Sequence, residues 1–236
     1  MSAAASDRPS PAGYIVGLAI EARLLAKQSP DIEARIACAA ADAARARDGA
    51  RRLLAEGARA LVSFGIAGGL DPALRPGDLV LAEQIHSAEG ETFACDPDLH
   101  ARWEAEARAA GLRHSGGILL GSARPITSVA EKWDLHESSG AVAVDMESAA
   151  VARVAAGAGI PVLAVRAIAD PAERTLPATA VGSIGPDGEP RLGSVLLGLC
   201  RRPWEIPALL QLRRDRDAAL ATLGRLVGGF GPAGLP

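Results

Sequence analysis

The sequence has few aromatic residues, few cysteines and no long hydrophobic run. Phe, Trp and Tyr make up only 3% of its 236 residues, so the core has to be built mainly from Ala, Leu, Val and Ile. Cys38, Cys95 and Cys200 are far apart and odd in number, which excludes a recognisable disulfide framework or zinc-ligand spacing. We therefore expect a protein of the reducing cytoplasm.

An excess of basic charge is also missing. The formal net charge of −3 argues against nucleic-acid binding, which needs a concentrated basic surface. The four histidines form no i, i+4 pair beside acidic residues, so we predict no metal site. The apolar stretch Tyr14–Ile20 is too short to cross a bilayer and lacks the basic flank and cleavage site of a signal peptide. It predicts the first strand.

The length fits one α/β domain. We expect residues 1–12 to be disordered and residues 13–236 to form the domain, with 171–236 as a loop and helical C-terminal extension. Further strands are predicted at Ala60–Phe64, Asp78–Ile85, Gly117–Gly121, Ala141–Val144 and Val162–Ile168. Helices are predicted at Ala41–Glu56, Asp98–Ala110, Val129–His136, Met146–Ala156, Ser194–Cys200 and Ala208–Leu226. This alternation indicates a mostly parallel sheet with helices on its faces.

Two carboxylates follow predicted strands. Glu147 opens a helix after Ala141–Val144, and Asp170 lies at the end of the strand that begins at Val162. In open α/β sheets, ligands bind at the C-terminal ends of the strands, so both side chains should reach the functional edge. Paired carboxylates in such a position are typical of glycosidic-bond cleavage through a cationic sugar transition state.

A glycine-rich segment, Gly65–Gly69, follows the predicted strand Ala60–Phe64. It lacks the spacing of the dinucleotide-binding fingerprint. Its glycines would allow the backbone to approach a ligand closely, and we interpret it as a loop at a strand end.

Together these motifs resemble a known family. Asp145–Glu147 followed by Arg166–Asp170, and Phe64–Leu70 followed by Arg75–Val80, resemble the superfamily of purine nucleoside phosphorylases and methylthioadenosine/adenosylhomocysteine nucleosidases. The similarity runs from about Tyr14 to Asp170 in the same order. It implies a single nucleoside phosphorylase-like domain, with a mixed, partly barrel-like sheet flanked by helices, and a homo-oligomer.

The resemblance implies roles for several residues. Asp170 would protonate purine N7, which requires a carboxyl kept neutral by burial or by a neighbouring negative charge. Glu147 would accept hydrogen bonds from the ribose hydroxyls, Met146 would pack against the sugar, and Asp145 would lie beside them. In hydrolytic members a glutamate at the position of Glu21 activates the attacking water.

The resemblance also implies where the remaining substrate contacts lie. The residues concerned are Gly65, Ile66, Ala67, Gly68, Pro125 and Ile126. Arg124 stands where the family has an aromatic ring, and Pro125 has no N–H to donate to the base. Either Ile126 supplies that amide, or adenine is held differently.

The nucleophile is not fixed by the motifs. Ser63 and Ile66 occupy loop positions at which phosphorolytic members carry phosphate-binding Arg and Ser, and Glu21 would repel a phosphate dianion. These departures favour water. If Arg23 or Arg75 reached inward, phosphate could still act as co-substrate; no other cofactor is expected.

The C-terminal segment resembles the bacterial branch associated with hopanoid biosynthesis, whose proposed substrate is adenosylhopane. Its Leu-rich, Arg-containing helices suggest either a docked helix with a solvated face or a lid with peripheral membrane contact. A methylthioadenosine/adenosylhomocysteine nucleosidase and a non-catalytic nucleoside-binding protein remain as alternatives.

Overall fold

The computed structural model describes residues 11–27, 30–180, 185, 187–189, 200–230 and 235. Its strands are β1 Ala12–Val16, β2 Ile36–Cys38, β3 Ala60–Gly69, β4 Leu79–Leu81, β5 Gln84–His86, β6 Thr92–Ala94, β7 His114–Ser115, β8 Ile118–Gly121, β9 Ala141–Asp145 and β10 Val162–Asp170. Its α-helices are α1 Ala19–Ala26, α2 Pro30–Glu33, α3 Ala43–Ala55, α4 Pro97–Ala109, α5 Val129–Ser139, α6 Ser148–Ala158 and α7 Ile206–Gly229, the last preceded by a 3₁₀ turn at Pro203–Glu205.

The strands form one mixed sheet in the order β6-β5-β8-β9-β3-β10-β4-β7, with β1 paired to β3 and β2 to β1. The β1–β3, β3–β10 and β8–β9 pairs are parallel, whereas β3–β9 and β4–β10 are antiparallel. The predicted mixed sheet with flanking helices is thus confirmed.

The glycine-rich segment is a strand rather than the predicted loop. β3 continues to Gly69 and pairs with β10 as far as Gly68, opposite Asp170, before its last two residues also pair with β9. A Cβ at Gly68 would lie 3.3 Å from Val144 Cγ1, so the missing side chain allows the sheet to close here. Pairing on both sides outweighs the low strand propensity of glycine.

The predicted strand Tyr14–Ile20 was too long. β1 begins at Ala12, inside the segment expected to be disordered, and ends at Val16, and helix α1 starts at Ala19. The Glu21 carboxylate accepts hydrogen bonds from the amides of Gly17 and Leu18, which turns the chain into the helix. Residues 1–10 lie outside the described residues.

The predicted strand Asp78–Ile85 divides into β4 and β5. Ala82 still donates its amide to Ala164 of β10, but the amide of Glu83 donates to Gly117, next to β8. The chain therefore changes partners between these residues.

The four central predicted helices are confirmed as α3 to α6, and Ala208–Leu226 lies within α7. Helix α7 packs Leu223, Leu226 and Val227 into the same core as Trp103. The predicted helix Ser194–Cys200 falls outside the described residues except for Cys200. In the part of the chain that the structure describes, no helix is long and apolar enough to cross a membrane.

Candidate active site

Asp145, at the end of β9, is engaged by its neighbours. Its Oδ2 accepts hydrogen bonds from Arg166 Nε at 2.7 Å, from Arg166 Nη2 and from the Ser148 hydroxyl, and the Ser148 amide lies 3.2 Å from both carboxylate oxygens. Arg166 Nη2 also donates to Ser63 Oγ at 2.6 Å. Asp145 therefore caps the start of α6 and holds the buried guanidinium.

Glu147 is buried but does not cap α6, although it stands at the N-terminal end of that helix. Its Oε2 lies 3.7 Å from Arg166 Nη2. Burial, together with the negative charges of Asp145 and Glu21, raises the pKa of Glu147 to about 8 despite the opposing effect of Arg166. An acidic residue at a helix start favours the helix dipole, but here the Asp145 side chain accepts the hydrogen bond from the Ser148 amide, and the Glu147 side chain makes no capping hydrogen bond.

Glu21 is buried in the first turn of α1. Oε2 accepts from the amides of Gly17 at 2.9 Å and Leu18 at 2.8 Å, and Oε1 accepts from the amide of Ile66 at 2.9 Å. Burial raises its pKa, against these amides and Arg166, which lower it. A carboxylate offers about four lone-pair positions, so one position on Oε1 remains for a ligand or a water molecule.

Asp170, at the end of β10, pairs with Lys132, which sequence reasoning missed. Lys132 Nζ lies 2.5 Å from Asp170 Oδ2 and is fully buried, whereas Asp170 Oδ1 is buried without a hydrogen-bond partner in the described structure. Burial raises the pKa of Asp170, and Lys132 counteracts this effect. The only signal of Lys132 in the sequence is that lysine is rare: the chain has two lysines and 23 arginines.

Strand β3 connects these groups. A Cβ at Gly65 would lie 2.6 Å from Glu21 Oε1, and a Cβ at Gly68 would lie 3.9 Å from Asp170 Oδ2. Gly65 and Gly68 are three residues apart, which is roughly 10 Å along the strand. The side chain of Ala67, between them, packs into the core.

The remaining predicted contacts surround this strand. Met146 is half-buried between β9 and α6. Pro125 and Ile126 lie between β8 and α5, where Ile126 packs in a small cluster with Val144. Arg124 is exposed and pairs with Glu131.

Two arginines that could have held phosphate point elsewhere. Arg23 pairs with Glu189 at 2.5 Å, and its side chain is 57% exposed. Arg75 is exposed, and its backbone amide donates to Asp78. Among the described residues, neither arginine forms an ion pair with Glu21 or Glu147.

The family model of the phosphorylase superfamily matches residues 35–201, which include Lys132, Asp145, Glu147, Arg166 and Asp170 but not Glu21. The chain belongs to the phosphorylase superfamily. The family inferred from the motifs is thereby confirmed.

Solved structures agree with this membership. The methylthioadenosine/adenosylhomocysteine nucleosidase of Neisseria meningitidis superposes with a TM-score of 0.72 at 17% identity, covering 93% of this chain and 97% of that one. The corresponding nucleosidase of Colwellia psychrerythraea gives 0.70 at 16%, covering 93% of each chain. Futalosine hydrolase of Helicobacter pylori gives 0.66 at 16%, covering 94% and 99%. This phosphorylase-superfamily chain therefore has the nucleosidase fold.

Proposed function

We propose that this protein cleaves the N-glycosidic bond of a 5′-substituted adenosine with water as the nucleophile. The observation that carries the proposal is the set of three buried carboxyls: Glu21 and Asp170 lie against the β3 glycines Gly65 and Gly68, and Glu147 lies against Gly17, in the turn that Glu21 closes. Burial raises the pKa of each of them. Raised carboxyl pKa values gathered in one site are typical of acid–base catalysis.

Each carboxyl has a distinct task in this reaction. Asp170 transfers a proton from Oδ1 to purine N7 while the C1′–N9 bond breaks and its electrons pass to the base. Water attacks C1′, and Glu21 takes the proton that this water loses. Glu147 accepts hydrogen bonds from the ribose hydroxyls, which strengthen as positive charge develops on the sugar.

Water is favoured over phosphate by the charges around Glu21. Arg166 is the arginine that acts on Glu21, and Asp145 already engages it through two N–H groups. A phosphate dianion would meet Glu21, which can act as a base only when it is ionised, and close negative charges repel strongly where water is excluded.

Adenine release from 5′-methylthioadenosine, with and without phosphate, tests this proposal. We expect phosphate-independent release with a free sugar product. Strict dependence on phosphate and a sugar 1-phosphate would make the protein a phosphorylase. Asp170→Asn should reduce turnover to a small residual rate and preserve nucleoside binding, and Asp48→Asn, an exposed carboxylate of α3, is the matched control. If wild type and Asp170→Asn bound the nucleoside equally and neither released adenine, a non-catalytic binding protein would be indicated.

We propose adenosylhopane as the natural substrate, with hopanoid biosynthesis as the setting. Supporting this, Trp204, Ile206 and Leu210 are 72%, 44% and 53% exposed around the start of α7, next to exposed Arg201 and Arg202. An apolar surface beside basic residues suits a lipid substrate held at an anionic membrane.

This surface is connected to the active site through one loop. The amide of Thr179 donates to Glu205 Oε2 at 2.9 Å, and Thr179 belongs to the loop that follows Asp170. We propose a cytoplasmic protein with peripheral membrane contact: the free thiols of the three cysteines support a reducing compartment, and the apolar and basic surface at the start of α7 supports the membrane contact.

The lipid preference is testable without deleting α7, whose Leu223 and Leu226 belong to the core. The combined variant Trp204→Ser, Ile206→Ser and Leu210→Ser should lower kcat/KM for adenosylhopane in anionic vesicles and leave 5′-methylthioadenosine cleavage unchanged. Equal turnover of the lipid substrate by both proteins would refute this assignment. Cleavage of small 5′-thio nucleosides alone would favour the methylthioadenosine/adenosylhomocysteine nucleosidase alternative.

A further inference from the structure

Lys132 lies in the first turn of α5, and its ammonium group contacts three acceptors outside that helix. Its Nζ lies 2.5 Å from Asp170 Oδ2, 3.0 Å from the Pro171 carbonyl oxygen and 2.8 Å from the Arg174 carbonyl oxygen. An ammonium group has three N–H donors and no lone pair, so the site matches the charged form. A neutral amine would direct its lone pair at one of these oxygens.

This contact makes the two oxygens of Asp170 inequivalent. Oδ2 is held by Lys132, whereas Oδ1 is buried and unpartnered among the described residues. A buried polar atom without a partner is costly in free energy. Oδ1 is therefore the oxygen available to a substrate nitrogen.

We propose that Lys132 is the positioning residue of the acid: its ammonium group fixes Asp170 so that Oδ1 faces the base, and it stabilises the charge that Asp170 acquires. This inference rests on the proposed function. As the Oδ1–H bond breaks and the N7–H bond forms, the carboxyl becomes an anion beside a cation that is already in place. Such preorganised charge acts mainly in the transition state.

Two backbone carbonyls hold the ammonium group from the other side. They belong to the loop after β10, and the side chain of Arg174 in that loop pairs with the buried Asp215 of α7. The ammonium group is thus fixed by the fold rather than by the substrate. Lysine suits this enclosure because its charge is compact, whereas a guanidinium is larger and planar.

Lys132→Met tests the role, with Lys27→Met, the exposed other lysine, as control. We expect kcat to fall by roughly 10²-fold with little change in KM. Because the loss of the cation raises the pKa of Asp170, the high-pH limb of kcat should move upward. In an Asp170→Asn background, Lys132→Met should reduce the residual turnover little further, since the amide at position 170 cannot acquire the negative charge that Lys132 stabilises. The proposal would be overturned if the high-pH limb of kcat did not move, or if Lys132→Met lowered kcat by the same factor in the wild-type and Asp170→Asn backgrounds.

A second experiment is an NMR titration of the protein with lysine labelled with ¹³C at Cε. It requires neither turnover nor a Lys132 variant that folds. Two lysines give two signals. Burial lowers the pKa of Lys132 and Asp170 raises it. Asp170→Asn should therefore shift the Lys132 titration to lower pH; an unaffected Lys132 titration would overturn the pairing. If wild type released no adenine, the proposed function would fail, while this titration would still report on the pair.

Discussion

Gly17 lies directly against Glu147, since a Cβ at position 17 would stand 2.9 Å from Glu147 Oε1. The contact joins the turn after β1 to the start of α6, two segments that are far apart in the sequence. A side chain at position 17 would occupy space that the carboxyl needs, so glycine here keeps Glu147 in place.

Gly17→Ala should therefore impair activity more than stability. The atom it meets is the end of a flexible side chain, which can move, but the displaced carboxyl would no longer fit the sugar. We expect kcat/KM for adenine release to fall by roughly 10- to 100-fold, as small displacements in active sites do, with little change in Tm. Gly157→Ala in α6 has no atom within 4 Å of its new Cβ and should leave activity unchanged. Wild-type kinetics in Gly17→Ala would contradict this account of the contact.

The stability of the protein should fall as pH rises from about 4.5 towards about 8. Burial raises the pKa of Glu147 to about 8, so the folded state holds a proton in this range that the unfolded state has lost. Glu21 and Asp170 shift in the same direction. Glu147→Gln removes one such group, and its urea midpoint should decline less between pH 5 and pH 8 than that of the wild type. If the urea midpoints of the two proteins declined equally between pH 5 and pH 8, Glu147 would not contribute to the pH dependence of stability.

Arg166→Met should strongly destabilise the fold. It would leave Asp145 as a buried, uncompensated charge and remove the partner of Ser63. Breaking a buried ion pair by removing one partner costs about 3–5 kcal/mol, which urea unfolding would measure. Arg153→Met, whose pairs with Glu89 and Glu91 are exposed, is the control and should change stability little. Similar midpoints for the two variants would contradict a structural role for Arg166.

Ser63→Ala distinguishes water from phosphate as the nucleophile. Ser63 Oγ accepts from Arg166 Nη2 at 2.6 Å and lies 3.0 Å from Ser148 Oγ, so its loss should cost roughly 1–2 kcal/mol of stability. Because this hydroxyl is already engaged, we expect KM for the nucleoside to be unchanged in phosphate-free buffer. A phosphate-dependent rate whose KM for phosphate rises in Ser63→Ala would instead identify a phosphate ligand.

The sequence was sufficient for the family and for a mixed sheet with flanking helices. It also predicted that Glu147 follows one strand and that Asp170 ends another, as they do at β9 and β10, whereas their catalytic roles stay predictions. Glu21 was predicted at the end of a strand and lies in a helix, because its own carboxylate captures two amides and starts the turn. That hydrogen bonding depends on the three-dimensional position of the side chain, which hydrophobic periodicity does not report.

Lys132 could not be predicted for a related reason. In the sequence it stands in a polar helix, where a lysine is ordinarily exposed, and only the folded chain brings the loop after β10 around it. The strand character of Gly65–Gly69 was missed because pairing with β9 and β10 outweighs local propensity. Both errors concern contacts between distant segments.

The spacing of residues along β3 limits which insertions this protein can tolerate. Gly65 lies against Glu21 and Gly68 lies near Asp170, and these two glycines are three residues apart on the same strand. An insertion between them would lengthen the site by about 3.3 Å and reverse the alternation of side chains. The exposed side chains of Trp204, Ile206 and Leu210 at the start of α7 carry no such constraint, so this surface can vary while the spacing along β3 is kept.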